Sequence, residues 1–263
     1  MIGLLHAEFH RITSTRLWIW AVLAALACGG LTGLIAVIGP QNATPPLPGL
    51  DTAEGARVLL GLAGLTTFVP ALFGTTAMGS EHRHRTITTT FLFAPRRWRV
   101  LVAKIVVHAV AGLCYGALVA ATAVGGLAAG AALHGVEPGL SSAELVGSGL
   151  RIVVAMAVFA VLGVAVGALV DNQIVALAVV GIWFYAVENL LLFVPGAGVA
   201  YPYLPGGATS SLLGFTLLAE QAADIAGTGI RMLSAPAAAL LLLGYLLIAT
   251  AAAIARPLRR DVV

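Results

Sequence analysis

Residues 150–194 read LRIVVAMAVFAVLGVAVGALVDNQIVALAVVGIWFYAVENLLLFV. One bilayer crossing takes about 20 residues of helix, and this apolar run is roughly twice that. Near its middle stand Asp171, Asn172 and Gln173, the only run of three polar residues in it. Three polar residues suit a tight turn, so the run divides into two spans, approximately 150–170 and 174–194. Merging them would give an odd number of crossings and place the chain ends on opposite sides. Splitting them keeps the count even.

Four further apolar runs complete the set, approximately 17–39, 58–79, 102–133 and 236–255. The chain has 263 residues, of which 60% are hydrophobic, and its mean hydropathy is +1.01. Soluble domains hold about 45–50% apolar residues, and a water-soluble fold of this size has nowhere to hide the excess. The runs are continuous rather than alternating, which excludes a lipid-facing β-barrel. The expected fold is an all-α integral membrane protein with six transmembrane helices in one transmembrane domain covering 1–263. The third span exceeds one crossing, so it tilts or projects from the membrane.

Lys and Arg set the orientation, because cytoplasmic loops carry the excess. With the N-terminus inside, Arg11, Arg16, Arg83, Arg85, Arg96, Arg97, Arg99, Lys104, Arg256, Arg259 and Arg260 fall on the cytoplasmic side, 11 of the 14 basic residues. Only Arg57, Arg151 and Arg231 fall outside. The expected localisation is the cell (plasma) membrane, with both termini cytoplasmic. Residues 17–39 are too long for the roughly 7–15-residue core of a signal peptide and read as an uncleaved span. Ahead of them Ile2, Leu5, Phe9 and Ile12 recur at helical spacing, opposite His6, Glu8, His10 and Arg11. That pattern predicts an amphipathic helix in the inner interface. The outer loop 195–235 contains Tyr201-Pro-Tyr-Leu-Pro-Gly-Gly207 and then apolar residues from Leu212 to Ala223, which suits a short re-entrant segment.

Chemical motifs are few. The phosphate-cradling pattern G-x-x-x-x-G-K-[ST] is missing, and Lys104, the only lysine, sits in Val-Ala-Lys-Ile. The chain is therefore not expected to hydrolyse ATP, and no catalytic residue is assigned. His82 and His84 form an H-x-H pair among cationic neighbours that disfavour a metal, so no metal site is assigned either. Cys28 and Cys114 lie in apolar runs and read as packing residues. Glu188 is the one ionisable residue well inside a span, and such a residue reads as functional by default. It lines a pathway or makes an interhelix hydrogen bond. The competing reading puts it near the outer boundary with Trp183 and Tyr185 as an interfacial belt. Glycine pairs four apart (Gly29/Gly33, Gly112/Gly116, Gly126/Gly130 and Gly163/Gly167) predict close helix packing without saying which faces meet.

The densest charge lies in residues 79–99, GSEHRHRTITTTFLFAPRRWR, between the second and third spans. The positive-inside rule accounts for its arginines but not for Phe91-Leu92-Phe93. A short helix from about Thr86 to Phe93, stopped by Pro95, would present that apolar patch to lipid or to a soluble partner.

The pattern Gly79-x-Glu81, then Thr86, then Pro95-Arg96-Arg97 and Lys104 resembles the signature loop of type-2 ABC transporter permeases, the ABC-2 family. In that family the loop typically reads G-x-E, then G-T, then P-x-x-R and a lysine opening the third span. Leu5-His6-Ala7-Glu8-Phe9 running into Trp18 and Trp20, the six-span layout and Leu204-Pro205 before the last span are similar as well. Arg85 departs from the pattern, standing where the family often has Gly.

The resemblance implies a permease subunit of an ATP-driven exporter. Two membrane subunits pair, as a homodimer or with a related chain, and two copies of a separate ATP-binding subunit join from the cytoplasm. ATP and Mg are bound by that partner, and no cofactor by this chain. The loop 80–99 would carry the coupling helix, with Glu81, Thr86, Phe91, Leu92, Phe93, Pro95 and Arg97 contacting the ATPase. Arg96 and Arg99 read as inner-interface anchors, with Lys104 snorkelling its amine to the cytoplasm. The partners are thus the ATPase, a second permease and the bilayer, with no nucleic acid. The apolar lining tolerates a small lipophilic cargo such as a drug, lipid or peptide. An ion-driven secondary transporter and an intramembrane enzyme using Glu188 are the alternatives. The first lacks charged or broken helices in related halves, and the second lacks a histidine at matching depth.

Overall fold

The computed structural model describes residues 1–44, 46–83, 97–194, 196–226 and 229–255. Among them every regular element is helical, and six helices are long and apolar enough to cross a membrane. These are Leu17–Ile38, Ala53–Gly79, Trp98–Leu133, Ser142–Leu169, Gln173–Leu191 and Ala235–Ala255. The protein is a multi-pass membrane protein by this architecture. Its large exposed apolar side chains, including Trp20, Leu240, Leu247 and Ile248, lie along the span helices as lipid-facing residues do.

Helix α1 (Ile2–Ser14) precedes the first span, α2 (Leu17–Ile38). Gly39, at φ +101°, ends α2 in a conformation that disfavours any side chain. The second span is composite. The α3 helix (Ala53–Gly61) tightens into a 3₁₀ segment (Leu62–Thr66) before α4 (Phe68–Arg83). Thr52 caps α3 by accepting the Gly55 amide, so the helix starts five residues before the apolar run read from sequence. The third span is α5 (Arg97–Leu133), whose 37 residues make a rod of about 55 Å at 1.5 Å per residue.

The fourth span, α6 (Ser142–Leu169), opens with a capping box in which Ser141 and Glu144 satisfy each other's backbone amides. Its partner across the polar triplet is α7 (Gln173–Gly181). Asn172 makes that turn, accepting the amides of Ile174 and Val175 on its side-chain oxygen. The helix continues as a π segment (Ile182–Val187) and one α turn, α8 (Glu188–Leu191). A 3₁₀ turn (Gly198–Tyr203), α9 (Pro205–Leu213) and α10 (Leu217–Ala226) lead to the last span, α11 (Ala235–Ala255). The apolar stretch 212–223 is therefore not one helix. Gly214 at φ +73° ends α9 and turns the chain into α10.

Glycines set which spans meet. Gly33 of α2 lies against Gly126 of α5, and Gly130 lies against Ala36. On the other side of α5, Gly112 and Gly116 face Ala157 and Val153 of α6. Gly163 and Gly167 of α6 in turn rest on the Ala71 and Thr75 carbonyls of α4. The small-residue stripes thus order the bundle as α2, α5, α6, α4, and α6 is the most enclosed, with Met156 and Phe159 wholly buried.

Candidate functional site

Two buried carboxylates stand out among the described residues, at different places in the fold. The first is Glu8. Its helix packs on the start of α5, where Lys104 is wholly buried and Glu8 nearly so. Lys104 Nζ donates to both Glu8 oxygens at 2.9 Å, and Arg11 approaches Oε1 at 3.4 Å. One turn on, His108 Nδ1 lies 2.9 Å from the Lys104 carbonyl, which can only accept, so Nδ1 carries the proton. Lys104 was expected to reach water at the membrane edge; it ends on Glu8 instead. A buried ammonium needs a paired charge more than it needs length to snorkel, and α1 brings that charge. Amphipathic spacing places Glu8 on the polar face of α1, yet that side of the helix is turned to α5.

The second carboxylate is Glu188, wholly buried at the start of α8. Its partner is the N-terminus of α9. That helix is buried along its length except at Gly206, so most of its terminal groups lie away from bulk water. Leu204 at the N-cap offers no side-chain acceptor, and Pro205 at the first position carries no amide hydrogen. The Gly206 amide, the next in line, donates to Glu188 Oε2. The close approach requires glycine: a Cβ on Gly206 would meet Glu188 Oε2, and one on Gly207 would meet the Tyr201 carbonyl. At the other end of α9, Arg151 of α6 donates to the Leu212 carbonyl at 3.5 Å. A carboxylate at the positive end and a guanidinium at the negative end both complement the helix dipole.

Glu188 Oε1 has no hydrogen-bond partner among the described residues. Glu188 is among the residues that line a cavity of about 420 Å³, walled by the 3₁₀ segment of the second span, the π segment of the fifth and α9. Departures from α-helical winding in both spans thus meet at one place, which is where π segments commonly occur in working sites. The wall is mostly apolar, with Phe184, Phe193 and Tyr201 contributing ring faces. Leu190 and Phe193 are exposed on the outside of the bundle as well as lining the cavity, so it opens sideways onto the apolar surface.

Of the other residues singled out from sequence, Thr86, Phe91, Leu92, Phe93, Pro95 and Arg96 lie outside the described residues. Glu81 and Arg97 fall at the ends of α4 and α5, where only the backbone is described. Arg99 stacks its guanidinium over the Trp98 ring, 5.5 Å from the centroid. No group of His, Cys, Asp and Glu able to hold a metal occurs among the described residues. The arrangement at Glu188 can bind or orient a donor. Sequence reasoning flagged Glu188 but missed Gly206 and Arg151; the signal for the first was Leu-Pro-Gly-Gly, a helix start with no cap of its own. No model of a known protein family matches the chain, and a search of curated proteins finds no matching relative.

Proposed function

We propose that the chain is the membrane-spanning permease subunit of an ATP-driven exporter of the ABC-2 type. The observation that carries this reading is the signature pattern Gly79-x-Glu81, Thr86, Pro95-Arg96-Arg97 and Lys104, running from the end of the second of six apolar helices into the start of the third, in a chain without a P-loop. The packing around Lys104 supports it. The residue that closes the pattern joins α1 to α5, so a push delivered to the segment before α5 is transmitted to two helices at once. The α5 rod is continuous from Arg97 to Leu133 and carries such a displacement along its length.

In this reading both termini and the 80–99 segment are cytoplasmic, and the protein works in the plasma membrane. A second permease copy or related chain completes the pore, and two ATP-binding subunits supply ATP and Mg. Glu81, Thr86, Phe91, Leu92, Phe93, Pro95 and Arg97 transmit ATPase closure, while Arg96 and Arg99 hold the inner leaflet. The α9 and α10 helices form a re-entrant outer element. The cargo is small and lipophilic. Co-expression with a candidate ATP-binding subunit drawn from the neighbouring genes tests the reading. The two chains should co-purify, and the partner's ATPase rate should depend on this chain. Exchanging Glu81 or residues 86–93 should lower transport with membrane insertion intact. Normal transport by those variants removes the coupling role.

A further inference from the structure

The cavity at Glu188 has an unusual balance of hydrogen-bonding groups. Glu188 is the only charged side chain among the described lining residues, and its Oε1 is buried without a partner. Thr67 Oγ1 spends its single hydrogen on the Gly64 carbonyl at 2.9 Å, leaving only lone pairs for anything else. Tyr201 and Ser210 bond each other, hydroxyl to hydroxyl at 3.1 Å. One hydroxyl hydrogen of that pair stays unspent and Asn189 adds a side-chain amide, so the walls set a lone carboxylate among neutral polar groups and aromatic rings.

A buried carboxylate oxygen without a partner, set in a mostly apolar chamber, selects a ligand that brings both a donor and a positive charge. A neutral acceptor would leave Oε1 unsatisfied, and an anion would be repelled by it. A cation with N–H groups supplies the missing hydrogen bond, cancels the buried charge and lies against Phe184, Phe193 and Tyr201. About 420 Å³ is ample for a compact aromatic or branched body attached to that nitrogen. The exposed apolar residues Leu190 and Phe193 at its rim suit entry by a lipophilic body.

We infer that this cavity is a binding site for lipophilic primary or secondary amines, held by an ammonium-to-Glu188 hydrogen bond and admitted from the membrane. As a transport cargo, this ligand class rests on the exporter reading; as a bound ligand, it stands on the cavity alone.

The test uses the full chain in lipid nanodiscs, without any ATPase, and two fluorescent probes of matched shape. These are 2-(1-naphthyl)ethylamine and 2-(1-naphthyl)ethanol, with binding read by equilibrium dialysis after correction for empty nanodiscs. The amine should bind saturably at one site per chain. The alcohol should bind about tenfold more weakly or worse, the loss of a charge-assisted hydrogen bond. Glu188→Gln keeps an oxygen for the Gly206 amide and should weaken the amine by a similar factor while leaving the alcohol unchanged. Leu218→Trp, which fills the cavity and leaves the carboxylate in place, should abolish amine binding and guards against misfolding of the first variant. Equal affinity for the two probes, or full amine binding by either variant, overturns the inference. So does displacement of the amine by Na⁺ but not by choline at equal ionic strength, which would make this an inorganic-cation site. ATPase stimulation without amine binding would sink the inference and spare the exporter reading; amine binding by a chain that neither co-purifies with the ATP-binding subunit nor stimulates it would do the reverse.

Discussion

Glu188 and Arg151 stand at opposite ends of the same buried helix. One accepts the Gly206 amide at its N-terminus, and the other donates to the Leu212 carbonyl at its C-terminus. Helix α9 is only nine residues long, too short to be stable alone. Its ends are held by residues from the fifth and fourth spans, so it reports on how those spans sit. Removing the carboxylate with Glu188→Ala leaves the half-buried Gly206 amide without its protein partner. The expected cost is about 1–3 kcal/mol, against under about 1 kcal/mol for Arg151→Ala, whose side chain is exposed. Thermal unfolding of the two variants in the same detergent checks the order; equal losses would mean that the two ends are not held as described.

The ion pair between Glu8 and Lys104 makes a different prediction. Breaking a buried pair by removing one partner strands the other charge, at about 3–5 kcal/mol. Glu8→Gln and Lys104→Met should therefore each lower the unfolding temperature strongly. The double variant should recover much of the loss, because neither charge remains buried alone. A double variant as unstable as the sum of the singles would show that Lys104 depends on other partners more than on Glu8.

Neighbouring glycines in α5 give an internal control for the packing. A Cβ on Gly126 would press on Gly33 of α2, whereas one on Gly125 meets nothing within 4 Å. Gly125→Ala should be neutral or slightly stabilising, by at most about 1 kcal/mol from helix propensity. Gly126→Leu should push α2 off the bundle, seen as earlier unfolding and faster cleavage at the α1–α2 segment by added protease. Identical behaviour of the two variants would remove the glycine-to-glycine contact from the account.

What could be read from the sequence divides along the length scale of the interactions. The turn at Asp171-Asn172-Gln173 was legible because its cap is local: the Asn172 oxygen bonds amides two and three residues on. The six apolar helices were legible for a similar reason, since composition alone decides them. Glu188 stood out as a charge in an apolar run. Its partner did not, because the Gly206 amide lies eighteen residues away and backbone amides leave no mark in composition. Lys104 was misread for the complementary reason. Its one-dimensional surroundings are those of a membrane edge, and the side chain that captures it lies ninety-six residues earlier, on the face of α1 that amphipathic spacing assigns to water. The 3₁₀ and π segments were also invisible, since neither Leu62–Thr66 nor Ile182–Val187 contains a proline to announce it.

Asn172 carries the prediction closest to the sequence. It caps α7 with two amide bonds, and its replacement by Ala should cost about 1 kcal/mol, whereas Asn172→Asp keeps the acceptor and should cost little. The readout is global unfolding together with amide exchange at Ile174 and Val175, which should rise in the Ala variant alone.

The glycine pair at the start of α9 supplies the sharpest steric test. Gly206→Ala directs a methyl group at Glu188 Oε2, and Gly207→Ala directs one at the Tyr201 carbonyl. The two obstacles differ in what they can do. A carboxylate is the end of a side chain and can rotate away at the cost of the Gly206 hydrogen bond, while the Tyr201 carbonyl is backbone and is held from both sides. Gly207→Ala should therefore be the more damaging of the two, with overpacking of about 1–3 kcal/mol or more, and should loosen the 3₁₀ turn Gly198–Tyr203. Gly244→Ala in α11 meets nothing within 4 Å and serves as the neutral reference. If Gly206→Ala is made in the Glu188→Ala background, the methyl no longer has a carboxylate to strike. Its added cost should then largely vanish, and a cost that persists would place the obstacle elsewhere.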